Sequence, residues 1–113
     1  MLTQTNRDMR VVREEIFGPV VCAMPVDDDD LDRIARLAND TDYGLSSSIW
    51  TRDISLAHKL ARRIKAGTVR INGGAGLDYA LPFGGYKQSG WGRENGRDGV
   101  EAYTEVKSVT VAL

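Results

Sequence analysis

Two carboxylates stand shortly before an aromatic residue and a Gly-Pro step in the stretch "REEIFGPVV", residues 13–21. The side chains of Glu14 and Glu15 can accept hydrogen bonds from a ligand, and Phe17 offers a flat apolar surface beside them. A tight turn that leads into a buried strand would place these groups at the end of a sheet, where ligands often bind. A solvated carboxylate pair, with Phe17 as a core anchor, explains the same residues, so spacing alone leaves both interpretations open.

A second candidate is the glycine-rich stretch "LPFGGYKQSGWGRE", residues 81–94, because glycine-rich basic loops can hold phosphates. A Walker A loop requires Ser or Thr after its lysine, whereas Gln88 follows Lys87. The later glycines do not match the G-x-G-x-x-G spacing of dinucleotide-binding loops either. The spacing therefore favours tight turns and close backbone packing over a phosphate site. We expect Lys87 and Arg93 to hold the loop in place through hydrogen bonds. The glycines expected to allow its tight folding are Gly84, Gly85, Gly90 and Gly92.

Other reactive side chains have simpler explanations. Cys22 lies between apolar neighbours with no nearby base, which predicts a buried structural thiol and not a nucleophile. His58 is the only histidine and is expected at the surface or half-buried, so no histidine-rich metal site is possible. The acidic run at residues 27–30 lacks the spaced ligands and the glycine of a calcium loop. It fits a solvated helix cap.

Hydrophobic patterning predicts strands that alternate with helices. Strands are expected at residues 19–26, 45–51 and 68–72, the first apolar on both faces as in a parallel sheet. Two helices are expected between them, and Gly67 is expected as a left-handed cap after the second. Short helical crossovers of this kind join parallel strands in right-handed units. The apolar stripes of the two helices are Leu31, Ile34, Ala35 and Ala38, and then Ala57, Leu60, Ala61 and Ile64.

The regular alternation of predicted strands and helices ends after the third strand. Residues 73–92 form a long irregular stretch, and long loops inside compact domains are usually functional or disordered. A short helix is expected near residues 95–102. The final stretch, "TEVKSVTVAL", is predicted to be a strand with two usable faces, an edge that pairs with another element.

Bulk properties limit the classes of function. The chain has 113 residues, 42% hydrophobic and 27% charged, which fits one globular domain. Its net charge of −1 gives no electrostatic case for nucleic acid or an anionic membrane. No apolar run approaches the roughly 20 residues of a membrane span, and the first residues do not resemble a signal peptide. A single cysteine forms no internal disulfide, which fits the cytoplasm.

Three stretches together resemble one family. "EEIFGPV", "PFGGYKQSGWGRE" and "YTEVKSVTV" are similar to the C-terminal part of the aldehyde dehydrogenase superfamily, with "NDTDYGLSSSIWTRD" and "AGTVRIN" in the right order between them. The resemblance implies an α/β fold with a partial parallel sheet and helical crossovers over residues 1–103. Residues 104–113 would be an oligomerisation strand. The resemblance also implies that this chain is a fragment, because the catalytic cysteine and the general-base glutamate of the family lie upstream of "EEIFGPV". Cys22 follows that motif and does not match the nucleophile.

The implied activity is oxidation of an aldehyde to a carboxylic acid with NAD or NADP. In the family, a cysteine thiolate attacks the carbonyl, hydride passes to the nicotinamide, and water hydrolyses the resulting thioester. Glu15 matches the residue that binds the nicotinamide ribose, and Phe17 the aromatic that packs against the nicotinamide end. Phe83 and Leu77 match positions that line the substrate tunnel. A homo-oligomer, either a dimer or a tetramer, is implied.

Two other interpretations stay open at this point. The chain could be a free-standing, non-catalytic α/β assembly module from a truncated gene. It could also be an independent nucleotide-binding domain, although that idea rests on the glycine-rich stretch alone. The resemblance favours the aldehyde dehydrogenase fragment, and it predicts that the 113 residues have no dehydrogenase activity by themselves.

Overall fold

A computed structural model describes residues 1–26, 29–74, 76 and 78–113. The helices are α1 (Arg10–Arg13), α2 (Leu31–Ala38), α3 (Ile54–Ala61) and α4 (Gly96–Glu101). The strands are β1 (Tyr43–Gly44), β2 (Ser46–Ile49), β3 (Thr68–Ile71) and β4 (Tyr86–Lys87). None of the helices in these residues is long and apolar enough to cross a bilayer.

The β2–α3–β3 unit is the centre of the fold. Strands β2 and β3 are parallel and in register from the Ser46 and Thr68 pair to the Ile49 and Ile71 pair. Parallel strands need a crossover connection, and α3 supplies it. This confirms the predicted parallel pairing, although both strands are shorter than expected at their ends.

The two longer helices begin where aspartates cap them. The Asp30 carboxylate accepts hydrogen bonds from the backbone N–H groups of Asp32 and Arg33, and the Asp53 carboxylate accepts one from Leu56 N–H. These contacts satisfy amides that have no partner inside a helix. The predicted capping role of the acidic run is confirmed for Asp30, while positions 27 and 28 lie outside the described residues.

A small apolar core lies between the two helices and the parallel pair. Its fully buried member is Ala57 on α3, with 0% exposure. The other buried members are Ala35, Ile49 and Leu60, and the half-buried residues packed against them are Ile34, Ala61, Ile64, Val69 and Ile71. The predicted stripe of α3 is therefore confirmed, and that of α2 is confirmed for Ile34 and Ala35, while Ala38 is exposed and Leu31 is half-buried outside this core.

Gly67 does not cap a helix, contrary to the prediction. Helix α3 ends at Ala61 with Arg62 as its C-cap, and Gly67 is not in the left-handed region. Its N–H donates to the Gly44 carbonyl at 3.0 Å, and a Cβ atom there would collide with the Gly84 carbonyl. The glycine is needed because two backbone segments meet with no space for a side chain.

The predicted strand at residues 19–26 is reduced to a single parallel bridge between Leu2 and Cys22. Leu2 N–H donates to the Val21 carbonyl at 2.7 Å, and Ala23 N–H donates to the Leu2 carbonyl at 2.8 Å. Most side chains of this segment are exposed and not buried on two faces. No further strand in the described part of the chain lies beside it, so a longer ladder has no partner.

The predicted terminal strand is not confirmed. Residues 104–113 are all exposed and belong to no strand in the described chain. An extended segment becomes a strand only when its backbone groups pair with a neighbour, and this segment meets none there. The division of the chain at residues 103 and 104 therefore stays a prediction.

The chain is elongated. Its Cα radius of gyration is 18.5 Å, against about 13 Å for a compact domain of this length. Many large apolar side chains are exposed, including Trp91, Tyr103 and Val106. An extended shape with so small a core buries much less apolar surface than a compact domain of the same length would.

Candidate functional site

Glu15 lies at the rim of a cavity of about 310 Å³, called here the Glu15 groove. The cavity runs between the end of α2, strands β1 and β2, and the segment that follows α3. Its other lining residues are Ala38, Asn39, Thr41, Tyr43, Gly44, Leu45, Ser46, Ser47, Ile64, Lys65 and Ala66. Hydroxyl, amide and carboxylate groups share this cavity with a few apolar side chains, a composition that suits a polar organic ligand.

The two neighbouring carboxylates differ in their partners. Both oxygens of Glu14 accept hydrogen bonds from the Arg10 guanidinium, at 2.8 and 3.0 Å. These hydrogen bonds and the Arg10 charge lower the pKa of the Glu14 carboxyl. The Glu15 carboxylate has no such partner among the described residues, so its acceptor atoms stay available to a ligand.

Phe17 projects into solvent, with 96% of its surface exposed. It does not line the Glu15 groove, and it anchors no core within the described chain. The interpretation of Phe17 as a core anchor is therefore wrong for this chain. Its ring is left free to contact a ligand or another protein surface.

Phe83 lines a second cavity, called here the Phe83 cavity, of about 340 Å³. Phe83 begins the glycine loop, residues 83–93, and its backbone forms a bridge with Glu94 in which both N–H groups donate at 2.7 Å. Leu45 lines both this cavity and the Glu15 groove, so the two are adjacent. Leu77, the other predicted tunnel residue, lies outside the described residues.

The basic residues of the glycine loop bind carbonyl groups of the protein. Lys87 Nζ donates to the carbonyls of Asn39 and Thr41, each at 2.8 Å. The Arg93 guanidinium donates to the carbonyls of Gly85 and Gly92 at 2.9 and 2.7 Å. This confirms the prediction that they hold the loop, and it leaves these cations engaged where a phosphate site would need them free.

The glycines of the loop are required at three of four positions. A Cβ on Gly84 would collide with the Gly92 carbonyl, and one on Gly85 would collide with Ser89. Gly90 has a φ of +107°, which side chains disfavour. Gly92 itself has space for a Cβ, so that expectation is wrong at this position.

The remaining candidates form no reactive site. Cys22 is half-buried, and its Sγ lies 3.5 Å from the Val11 carbonyl, in the geometry of a weak donor. His58 is exposed on α3. Within the part of the chain that the structure describes, no group of three or more metal-binding side chains comes together.

Sequence reasoning missed Asn39 and Leu45. Asn39 is the C-cap of α2, and its side-chain amide bonds both Arg63 O and Lys65 N–H. Asparagine just after the last apolar residue of a helix is a recognisable end signal, and this signal is present in the sequence. Leu45 carries no such signal, because only the folded backbone places it between two cavities.

Residues 1–109 match the aldehyde dehydrogenase family. The chain belongs to this family. Betaine aldehyde dehydrogenase of Bacillus subtilis is 45% identical over 109 residues, which cover 96% of this chain and 22% of the relative. The 4-trimethylaminobutyraldehyde dehydrogenase of Oryzias latipes is 46% identical over 111 residues, covering 98% of this chain and 22% of the relative.

A solved structure agrees with these relatives. An NAD+ complex of aldehyde dehydrogenase from Bacillus cereus superposes with a TM-score of 0.89 at 48% identity. That match covers 95% of this chain and 21% of the solved one. The α/β aldehyde dehydrogenase fold is therefore shown, and the chain spans about a fifth of the length of the relatives it matches.

Proposed function

We propose that this chain forms the C-terminal part of an NAD(P)+-dependent aldehyde dehydrogenase that oxidises an aldehyde to a carboxylic acid. The observation that carries the proposal is the adjacency of the Glu15 groove and the Phe83 cavity across Leu45, in a chain of this family. A dehydrogenase must place cofactor and substrate side by side, and two adjoining cavities meet that need.

The Glu15 carboxylate, which has no partner among the described residues, fits a ribose diol, because a carboxylate can accept hydrogen bonds from two vicinal hydroxyls. Phe17 would pack its exposed ring against the nicotinamide end of the cofactor. Bound NAD(P)+ would supply the hydride acceptor, and the residues of this chain would orient it. Support comes from relatives of known structure that bind NAD+, including the Bacillus cereus enzyme.

Phe83 would line the aldehyde tunnel, and Leu77 is proposed to join it. Phe83 is half-buried and lines the Phe83 cavity, and an apolar side chain beside a reacting carbonyl helps to exclude water from it. Betaine aldehyde and 4-trimethylaminobutyraldehyde, the aldehydes named for two relatives, are the first substrates to assay.

We place the nucleophile and the general base in the four fifths of the relatives' length that this chain does not span. Cys22 is a poor nucleophile, because it is half-buried beside the Val11 carbonyl, with no cation among its described hydrogen-bonding partners. The elongated shape and the exposed apolar side chains support a role within a larger subunit. Residues 104–113 would pair with a second subunit in a cytoplasmic homo-oligomer.

A chimeric enzyme tests the cofactor role. This chain would replace the matching fifth of the Bacillus subtilis betaine aldehyde dehydrogenase, and NAD(P)H formation would be followed by absorbance. Glu15→Gln should lower kcat/KM for NAD(P)+ about tenfold or more, since hydrogen bonds to a charged group contribute about 1.5–3 kcal/mol. Glu14→Gln is the matched control, because Glu14 is occupied by Arg10. Equal kinetics for Glu15→Gln and the unaltered chimera would show that Glu15 does not bind the cofactor.

The 113-residue chain alone gives the complementary test. It should bind no aldehyde covalently and should produce no NAD(P)H with any aldehyde of the panel. Turnover by the isolated chain would contradict the placement of the nucleophile elsewhere. A chimera that folds but has no activity would instead favour a non-catalytic assembly module.

A further inference from the structure

Lys87 adopts a backbone conformation that side chains disfavour. Its φ is +53°, in the left-handed region, where a residue with a Cβ is strained. Glycine would adopt this conformation without that strain, and glycines are abundant on either side of it in the loop. The lysine side chain must therefore contribute something that offsets the strain of its backbone.

The Lys87 ammonium binds the end of α2. Its Nζ donates to the carbonyls of Asn39 and Thr41 at 2.8 Å each, and Asn39 is the C-cap of the helix. Carbonyl groups at a helix C-terminus lack partners within the helix and carry partial negative charge. A cation there is stabilised by both hydrogen bonds and the helix dipole.

Asn39 is itself hydrogen-bonded to the segment that follows α3. Its side-chain amide donates to the Arg63 carbonyl at 2.8 Å and accepts from Lys65 N–H at 2.7 Å. The backbone that Lys87 binds is thus tied to the segment after α3 as well as to α2. Lys87 therefore ties the glycine loop to a segment that has its own hydrogen bonds to the rest of the fold.

The two carbonyls that Lys87 binds belong to the wall of the Glu15 groove, since Asn39 and Thr41 both line it. Lys87 belongs to the loop that carries Phe83 into the second cavity. It lines neither the Glu15 groove nor the Phe83 cavity. The Lys87 side chain therefore links the wall of the Glu15 groove to the loop that contains Phe83, although it lines neither cavity.

We propose that Lys87 is a positioning residue that fixes Phe83, through the glycine loop, relative to the Glu15 groove. The inference rests on the proposed function, because it assigns Phe83 to the aldehyde and the groove to the cofactor. Without the ammonium, the loop keeps its backbone pairing with β1 but loses its two bonds to the α2 end. The aldehyde should then be held less accurately, while the groove keeps its shape through the bonds of Asn39.

The experiment compares Lys87→Met, Lys87→Gly and Lys87→Arg in the chimeric enzyme. Lys87→Met and Lys87→Gly should lower kcat/KM for the aldehyde about tenfold and leave KM for NAD(P)+ within about twofold. Lys87→Gly relieves the backbone strain but lacks the cation. It therefore distinguishes the effect of the lost side chain from the effect of the strained backbone. Lys87→Arg should recover most of the loss. Lys59→Met, at an exposed position on α3, is the charge-matched control and should change nothing. Aldehyde kinetics in Lys87→Gly equal to those of the unaltered chimera would overturn the proposal.

Amide hydrogen exchange on the same proteins gives a readout that does not depend on catalysis. Gln88 N–H bonds the Asp42 carbonyl and Gly44 N–H bonds Ser89 Oγ, so both amides report loop docking. Both should exchange at least several times faster in Lys87→Met and Lys87→Gly, with α3 unchanged. If the unaltered chimera is inactive, the proposed function fails, and unchanged exchange would then separately reject the role of Lys87.

Discussion

The β2–α3–β3 unit and the glycine loop are stabilised in opposite ways. The first is held by apolar side chains, with Ala57 and Leu60 buried between helix and strands. The second contributes no residue to that core and is held by side-chain cations on carbonyls, as at Lys87 and Arg93. The free energy gained by burying apolar side chains is roughly proportional to the area removed from water and has no preferred direction. The strength of a hydrogen bond to a carbonyl, in contrast, depends on its distance and angle. The first kind of packing suits a scaffold, and the second suits a loop that must hold one side chain in place.

The two regions meet at Gly67, which gives the largest expected effect. Gly67→Ala would place a methyl group against the Gly84 carbonyl, so either the loop or β3 must move. We expect a loss of about 3 kcal/mol in the free energy of unfolding, from urea titration of the chain followed by circular dichroism. Gly74→Ala is the control, because a Cβ at Gly74 meets open space. Equal stabilities for the two variants would mean that the regions are not closely joined there.

Leu60→Ala tests the apolar region by itself. Removal of a buried leucine side chain costs about 2–5 kcal/mol, and the small core places this site near 2 kcal/mol. Leu37→Ala, at an exposed position on α2, should cost far less. The same urea titration measures both, and exchange of the Gln88 amide should be less affected than that of α3. A uniform loss of protection across both regions would show that the loop depends on the core.

Asp53→Ala probes a cap within the scaffold. The Asp53 carboxylate accepts from Leu56 N–H at 3.0 Å, and loss of such a cap costs about 1 kcal/mol. Asp53→Ser keeps a capping oxygen and should retain most of the stability. The measurement is again the unfolding midpoint in urea, and the glycine loop should be unaffected. Equal losses in both variants would indicate that the cap contributes nothing.

The smallest effect is expected from the ion pair between Asp32 and Arg63, which joins α2 to the end of α3. The hydrogen bond from Arg63 and its charge lower the pKa of the Asp32 carboxyl. Because the folded-state pKa is below the unfolded one, the pair stabilises the fold above about pH 4. That stability is lost as pH falls through the lowered folded-state value. Asp32→Asn should flatten this part of the pH profile of stability, and an unchanged profile would contradict the assignment.

Sequence patterns predicted the scaffold well because its signals are local. The apolar stripe through Ala57 and Leu60 and the cap at Asp30 follow from helical spacing and from the chemistry of helix ends. The parallel pairing of β2 and β3 follows from a short helical crossover. The stripe and the cap are decided by residues within a few positions of one another, and the pairing by the short connection between two consecutive strands.

The failures concern residues whose role depends on distant backbone. Gly67 was predicted to cap a helix because it follows a basic helix end, yet its real constraint is Gly84, seventeen positions later in the chain. The segments around Cys22 and at residues 104–113 have strand composition, but composition does not supply a pairing partner. The adjacency of the Glu15 groove and the Phe83 cavity at Leu45 could not be predicted either, since it joins positions far apart in sequence.

Leu45 has a consequence for anyone who redesigns this protein. Because Leu45 lines both cavities, we expect a substitution there to alter the two shapes at once. In a library that varies Leu45, each variant would change the preference for the cofactor and the preference for the aldehyde together. Ser47 lines the Glu15 groove without lining the Phe83 cavity, and Trp91 does the reverse. Randomising those two positions while Leu45 is kept constant would let each preference be selected independently.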